Sequence, residues 1–126
     1  MNELGRKVGE MSYDGLISGI NPAVRVTGGI IAGSAEEHTY VRGTVFARSK
    51  TTNKLYVIGT ESEEELVPDC VLCDDVTVGT EDETVAVYAA GCFNTNKITV
   101  AEGYTMTADD LDQLRMRSIV FVAALN

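Results

Sequence analysis

The feature that most constrains this sequence is a series of short segments in which apolar and polar residues alternate between glycine-containing turns. In residues 40–48, Val41, Val45 and Ala47 fall on one face and polar residues fall on the other. Residues 84–90 alternate without a charge on either face. A period of two is typical of β-strands, and a strand without charges is typical of the centre of a sheet. The pattern predicts a domain made mostly of short strands.

Several further strands are predicted from short apolar runs bounded by turn residues. A turn at 49–53 joins the strand in 40–48 to a returning strand, which indicates a β-hairpin. Glycine weakens strands, so the run that begins at Ala23 is expected to end at Gly28 and Gly29. The other predicted strand segments are 54–58, 70–78, 97–100 and 119–124.

One helix is predicted after Thr107, which has the features of an N-cap. Asp110 stands three residues later, as in a capping box, and Met106 and Leu111 are spaced as a hydrophobic staple. Leu111 and Leu114 lie one turn apart, so both are expected to face the core. With this one short helix, the sequence predicts an α+β, β-rich fold in which a compact small sheet or barrel carries an extended N-terminal arm.

The N-terminal 22 residues differ from the rest of the chain. They contain four glycines and end at Pro22, and their apolar residues follow no regular period. Such a segment is predicted to be an arm that is mobile when free and orders on a partner. The predicted organisation is therefore an arm at 1–22 and a β-rich domain at 23–126. Deleting residues 2–20 is expected to leave the stability of that domain nearly unchanged.

Charge and length exclude several classes of protein. The 126 residues fit one domain, and the net charge is −9, which argues against a partner that is a nucleic acid or an anionic membrane. The charge is uneven, since residues 1–60 sum to +2 (seven basic, five acidic) and residues 61–126 to −11 (three basic, fourteen acidic). The longest apolar run, 119–125, is far shorter than the ~20 residues of a membrane helix. Three cysteines, an odd count, and no secretion signal indicate synthesis in a reducing cytoplasm.

Four soft ligands raise the alternative of a small metal- or thiol-dependent domain. Cys70 and Cys73 form a C-x-x-C motif, and Cys92 and His38 complete a possible Cys₃His zinc set. Against this, residues three apart in a strand point to opposite faces, and acidic neighbours would raise the pKa of a thiol. The preferred interpretation is that the cysteines are reduced, metal-free and buried.

No arrangement of residues indicates catalysis. Acidic pairs occur at 74–75, 81–83 and 109–110, where turn and capping roles are expected. The sequence contains neither a nucleophile motif nor a phosphate-binding glycine loop. The protein is therefore predicted to be a binding or structural protein that is not an enzyme and uses no cofactor.

The chain resembles the lambda-type head decoration proteins of tailed bacteriophages over residues 40–126. Gly28–Ser34 extends this resemblance, while Ser118 stands where a glycine is common and cysteines occupy positions where small residues are usual. The stretches that carry the resemblance occur in the same order as in the family: Arg42–Val45, Cys70–Val76, Val85–Tyr88 with Gly91–Asn94, and Leu111–Arg115 with Ile119–Phe121.

The resemblance implies a structural virion protein with no catalytic, cofactor or metal site. It would be made in the host cytoplasm and bind, as a homotrimer, the phage major capsid protein on the outer surface of the expanded head. The trimers would lie at local threefold positions and stabilise the capsid, and the arm would order there. The residues expected to contact the capsid are Met11, Tyr13, Leu16, Ile17, Ile20, Val24 and Val26.

Overall fold

A computed structural model of the protein describes residues 15–122, and the structural statements below concern this part of the chain. It contains nine short or medium strands, a 3₁₀ turn at Thr95–Lys97 and one α-helix, α1 (Ala108–Met116). The strand-rich fold with a single helix confirms the predicted class. The strands are β1 (Ile17–Gly19), β2 (Arg25–Ile31), β3 (His38–Tyr40), β4 (Val45–Ser49), β5 (Leu55–Val57), β6 (Leu66–Leu72), β7 (Val76–Val78), β8 (Glu83–Asn94) and β9 (Ile119–Val122).

Five strands close into a small barrel. The order β8-β2-β5-β4-β6 returns to β8, because β6 also pairs with β8 through Val71 and Leu72. The ring is antiparallel except between β2 and β5, which run parallel and meet only at Ile31 and Leu55. Full closure leaves few unpaired strand edges, which is how small β domains limit aggregation.

The longest strand, β8, organises the rest of the domain. Its first part pairs with β2 and β6, and its last residues, Gly91–Asn94, pair with β9 in parallel. The N-terminal β1 runs antiparallel to the same end of β8, at Cys92 and Phe93. β3 and β7 form a separate two-stranded antiparallel ribbon. The uncharged pattern of residues 84–90 thus predicted the central strand.

The apolar residues form two clusters on opposite faces of the sheet. A smaller cluster takes a residue from every strand of the ring and therefore fills the barrel: Ile31, Phe46, Leu55, Cys70, Leu72 and Val87, with Val78 from β7. The larger cluster lies outside the ring, between the sheet and α1, and includes Val45, Ala47, Val71, Phe93, Leu114 and Ile119. Neighbouring residues of β4 and β6 alternate between the two clusters, as the two-residue period requires.

Helix α1 confirms the predicted capping box. The Thr107 hydroxyl accepts a hydrogen bond from the Asp110 amide, and the Asp110 carboxylate accepts one from the Thr107 amide. Leu114 is fully buried, but the expectation for Leu111 is wrong, since its side chain is 38% exposed. A helix of nine residues lying on a small domain buries only a narrow stripe. No helix among the described residues is long and apolar enough to span a membrane.

Some predicted strand boundaries are wrong, and the reason is tertiary. Gly28 and Gly29 do not end β2, because the strand continues through them to Ile31 in register with β8. A Cβ atom at Gly29 would lie 2.7 Å from Leu55 Cδ1, so the missing side chain permits close packing. Pairing with a neighbouring strand outweighs the weak intrinsic preference of glycine.

Two predicted strands are each divided by a turn, and one is not a strand. Residues 40–48 contain a turn at Gly43, whose φ of +95° suits glycine, and residues 70–78 are divided between β6 and β7. In 97–100 only Thr99 makes a bridge, with Thr44. The hairpin of β4 and β5 is confirmed, as is the last strand as far as Val122.

Candidate binding surface

The residues predicted to contact a partner do not share one orientation. Leu16 is buried in the larger cluster, and Ile17 and Val24 pack against that cluster. Ile20 and Val26 point outward, with 84% and 55% of their surface exposed. The remaining two predicted residues, Met11 and Tyr13, lie outside the described residues. Of the predicted set, Ile20 and Val26 are therefore the described side chains most accessible to a partner.

Part of the predicted arm packs on the domain in the structure. β1 pairs with β8, and the Asn94 amide donates to the Leu16 carbonyl at 2.7 Å. The cis peptide between Asn21 and Pro22 lies in the connection from β1 to β2. The assignment of residues 1–22 as a capsid-binding arm stays a prediction, and its described part, residues 15–22, includes one side chain that is part of the core.

The four soft ligands are not brought together. Cys70 belongs to the barrel interior and Cys73 to the outer cluster, as the opposite-face argument predicts. All three cysteines are buried and unbridged, whereas His38 is exposed on β3 beside the Tyr40 ring. Within residues 15–122 no three His, Cys, Asp or Glu side chains are grouped so that they could hold a metal ion. The structure gives the metal-site alternative no support.

Burial controls the chemistry of the C-x-x-C thiols. Burial raises the pKa of the Cys73 thiol to about 11, and the Asp74 carboxylate adds to that effect. Burial likewise raises the pKa of Cys70 well above its ordinary value, helped by Asp69. A raised pKa leaves almost no thiolate at neutral pH, and the thiolate is the nucleophilic form. These thiols therefore act as small packing groups.

One carboxylate from each of the acidic groups at 74–75, 81–83 and 109–110 stabilises a turn or a helix end. Asp82 forms an ion pair of 2.8 Å with Lys54 and accepts from the Gly33 amide, and these contacts lower the pKa of its carboxyl. Asp75 accepts from the Arg42 amide at 2.7 Å. Asp110 caps α1 and also accepts from the Tyr104 hydroxyl. None of these three carboxylates is paired with another for acid–base chemistry, and each has a local structural partner.

A groove of about 630 Å³ lies beside the β3–β7 ribbon. Its walls come from β3, β5 and the segment that follows the 3₁₀ turn, including Tyr40, Tyr56 and Val57. The groove is open and mostly apolar, and no charged side chain but Glu102 lines it. It is therefore an open surface depression, whereas a small-molecule site is normally a cleft or cavity that covers most of its ligand.

A second cleft, of about 410 Å³, has different chemistry. Arg25, Arg48 and Arg117 line it together with Asp69, and Leu55, Cys70 and Val87 of the barrel interior form its apolar floor. Asp69 Oδ1 forms ion pairs with two arginines, at 3.3 Å from Arg48 Nε and 3.2 Å from Arg117 Nη1. Arg48 Nη1 also donates to Asn53 Oδ1 at 2.8 Å. We call this the arginine cleft.

Sequence reasoning missed the arginine cleft because its arginines are far apart along the chain. They come from β2, β4 and the C-cap of α1, and only closure of the barrel places them around one opening. The one available signal was the basic balance of residues 1–60 within an acidic chain. That signal points to a half of the sequence and to no particular residues.

Together, the fold and its surfaces define a small strand-rich binding domain. Three of its acidic side chains stabilise turns or a helix end, and its distinctive surfaces are the exposed apolar residues Ile20 and Val26 and an arginine-lined cleft. A family model of the bacteriophage lambda head decoration protein D matches residues 8–119. The chain therefore belongs to this family of structural phage-head proteins, which confirms the resemblance seen in the sequence. No curated protein matches the chain.

Proposed function

We propose that this protein binds the major capsid protein of a phage as a homotrimer, on the outer surface of the expanded head, and stabilises the shell. The observation that carries the proposal is the family match, which covers residues 8–119 and so nearly the whole chain. Trimers at local threefold positions would each contact several capsid subunits. The match also begins within the N-terminal segment, which supports a role for that segment in the family's shared function.

Two exposed apolar residues, Ile20 in the bend after β1 and Val26 in β2, support an attachment role for the N-terminal region. Ile20 and Val26 leave most of their surface in water, so covering them with a partner would be favourable. Among the described strands β1 pairs only with β8, so its second edge can accept a strand. Strand addition provides main-chain hydrogen bonds, while side-chain contacts set the register.

Trimerisation would make weak attachment effective. Three N-terminal segments on one trimer bind the shell multivalently, so the second and third contacts form at high effective concentration. A protein that binds only the expanded shell stabilises that state by its difference in affinity for the two states. This is the physical sense in which decoration protects a head against internal pressure.

The test uses expanded heads that lack a decoration protein, with unexpanded heads as the control. The full chain is mixed with each, and bound protein is measured by co-sedimentation. We expect saturable binding to expanded heads only, with electron microscopy showing density at local threefold positions. Equal binding to both kinds of head, or no binding, contradicts the proposal.

A variant separates the surface role of β2 from its structural role. Val26→Ser changes an exposed side chain and should leave the melting temperature close to that of the full chain, while head binding weakens. Thr105→Ser is the control, because Thr105 is exposed and lies outside β1, β2 and the arginine cleft, and it should bind like the unchanged protein. If both variants bind equally well, Val26 is not a contact residue, although the family function can still hold.

A further inference from the structure

We infer that the arginine cleft receives a carboxylate side chain of the capsid protein. The inference rests on the proposed function and adds to it the chemical class of one contact. It assigns the attraction to Arg25, Arg48 and Arg117, which lie outside the predicted arm. The occupant is an aspartate or glutamate on the shell, presented to each copy in the trimer.

The arginine cleft is positively charged. The cleft holds three arginines and one aspartate, so its local charge is +3 − 1 = +2, in a chain whose net charge is −9. Three of the six arginines of the chain surround this one opening. An acidic protein repels an acidic partner at long range, so a local positive cleft determines where such a partner can approach.

The arginines of the cleft have more hydrogen-bond donors than Asp69 can satisfy. A guanidinium has five N–H donors, and Asp69 Oδ1 accepts from Arg48 Nε and forms an ion pair with Arg117 Nη1. Arg25 is exposed and has no ion pair with any residue between 15 and 122. Donors therefore remain for a second carboxylate, and arginine binds carboxylates with two parallel hydrogen bonds.

The charged groups of the cleft are partly shielded from water. The floor of the cleft is formed by Leu55, Cys70 and Val87 of the barrel interior. A group that enters is therefore shielded from water on the side that faces this floor. The side chains of Arg48 and Asp69 are already partly shielded, at 32% and 18% exposed. Charged hydrogen bonds in such surroundings are less screened than pairs on an open surface.

The position of the cleft favours the capsid over a second copy as the occupant. Arg25 is the first residue of β2 and directly follows the N-terminal segment that we propose to contact the shell. Thr27, Gly28 and Gly29 continue one wall of the cleft along the same strand. Val26 lies between Arg25 and Thr27 but does not line the cleft, so the apolar attachment residues and the cleft would be two separate contacts on the same part of the chain.

The test measures binding of the full chain to expanded heads at several salt concentrations. Arg25→Gln and Arg117→Gln each remove a charge from the cleft, and the double variant removes both. Arg115→Gln is the matched control, because this exposed arginine pairs with Asp112 on α1 and does not line the cleft. Melting temperatures establish that each variant is folded, and Arg25→Gln remains informative if the Arg117 variants unfold.

We expect the double variant to bind at least about ten-fold more weakly at low salt, and to lose most of its salt dependence. Arg115→Gln should stay within about two-fold of the unchanged protein at each salt concentration. If the cleft variants bind like the control, the inference fails and the proposed function stands. If they alter the oligomeric state in sedimentation while head binding per trimer is unchanged, the occupant is a second copy and the inference is wrong. If the unchanged protein binds no heads, both proposals fail.

Discussion

Ser118 shows at the scale of one residue how a backbone conformation can cost free energy. Its φ is +70°, in the left-handed region, where it connects α1 to β9. Its amide donates to the Arg115 carbonyl, and its carbonyl accepts from the Gly91 amide. A side chain in this conformation is unfavourable, whereas glycine adopts it without steric cost.

Replacing Ser118 by glycine should therefore stabilise the protein. We expect Ser118→Gly to raise the free energy of unfolding by up to about 1 kcal/mol, since the relief of strain exceeds the added freedom of the unfolded chain. Ser118→Ala is the control, because alanine retains a Cβ atom and should give no gain. Urea unfolding measures both, and a glycine variant no more stable than the alanine variant would contradict the explanation.

The cysteines give a second prediction at this scale. Because burial raises the pKa of Cys70 and Cys73, native protein at neutral pH should react with a thiol reagent only as it unfolds. Replacing each cysteine by alanine should lower the free energy of unfolding on the order of 1 kcal/mol per buried site and leave head binding unchanged. Rapid labelling of the native protein, or stoichiometric zinc after purification without chelator, would overturn this expectation.

Helix α1 shows what a short element requires at its ends. Nine residues provide little intrinsic helix stability, so the capping box and the buried Leu114 are its main supports. Thr107→Ala should cost about 1 kcal/mol of stability, since the Asp110 amide loses its acceptor. Thr105→Ala, an exposed residue outside the helix, should change stability little. Thermal unfolding of the two variants measures the difference, and equal losses would exclude the cap as the cause.

β1 revises the expected effect of removing the N-terminal segment. Leu16 is 1% exposed and β1 pairs with β8, so deleting residues 2–20 removes a core side chain and a strand. That deletion should lower the free energy of unfolding by about 2–5 kcal/mol, the usual cost of losing a buried leucine. Deleting only residues 2–14 retains every contact described here and should leave the melting temperature nearly unchanged.

Head binding of the shorter deletion then tests the N-terminal segment without a change in the core. Markedly weaker binding of the protein lacking residues 2–14 would support attachment by this segment. Undiminished binding would leave Ile20, Val26 and the arginine cleft as the interface. If the longer deletion melts at the same temperature as the full chain, the packing of Leu16 does not contribute to stability.

At the scale of the whole molecule, stability should fall at alkaline pH. The Asp110 carboxylate, which accepts from the Tyr104 hydroxyl, raises the pKa of that phenol from 10.0 to about 12. Burial raises the pKa of Cys73 from 9.0 to about 11. Both neutral forms are favoured by folding, so their contribution is present below the unfolded pKa and is lost as pH rises through the folded pKa.

We therefore expect the melting temperature to decline from about pH 9 and to fall steeply towards pH 12. Tyr104→Phe should be less stable than the unchanged protein at neutral pH and should decline less over the upper part of this range. Thermal unfolding at a series of pH values measures both curves. A difference between the two proteins that does not change with pH would show that Tyr104 ionisation has no part in the decline.

The sequence by itself determined the elements whose signals are local. Alternation in residues 84–90 identified the central strand, the turn at 49–53 identified a hairpin, and Thr107 with Asp110 identified the helix start. The family was also recognisable from short stretches in a characteristic order. The strand, hairpin and helix signals each depend on residues a few positions apart, whose preferences operate without the rest of the fold.

Only the tertiary structure decided the features that depend on distant residues. β2 continues through Gly28 and Gly29 because β8 pairs with it, and Leu16 is buried because β1 packs beside β8. The arginine cleft exists because barrel closure brings together residues of five strands and the end of a helix. Pairing and burial between segments outweigh local preferences of a few tenths to about 1 kcal/mol per residue, so no local pattern could have shown these features.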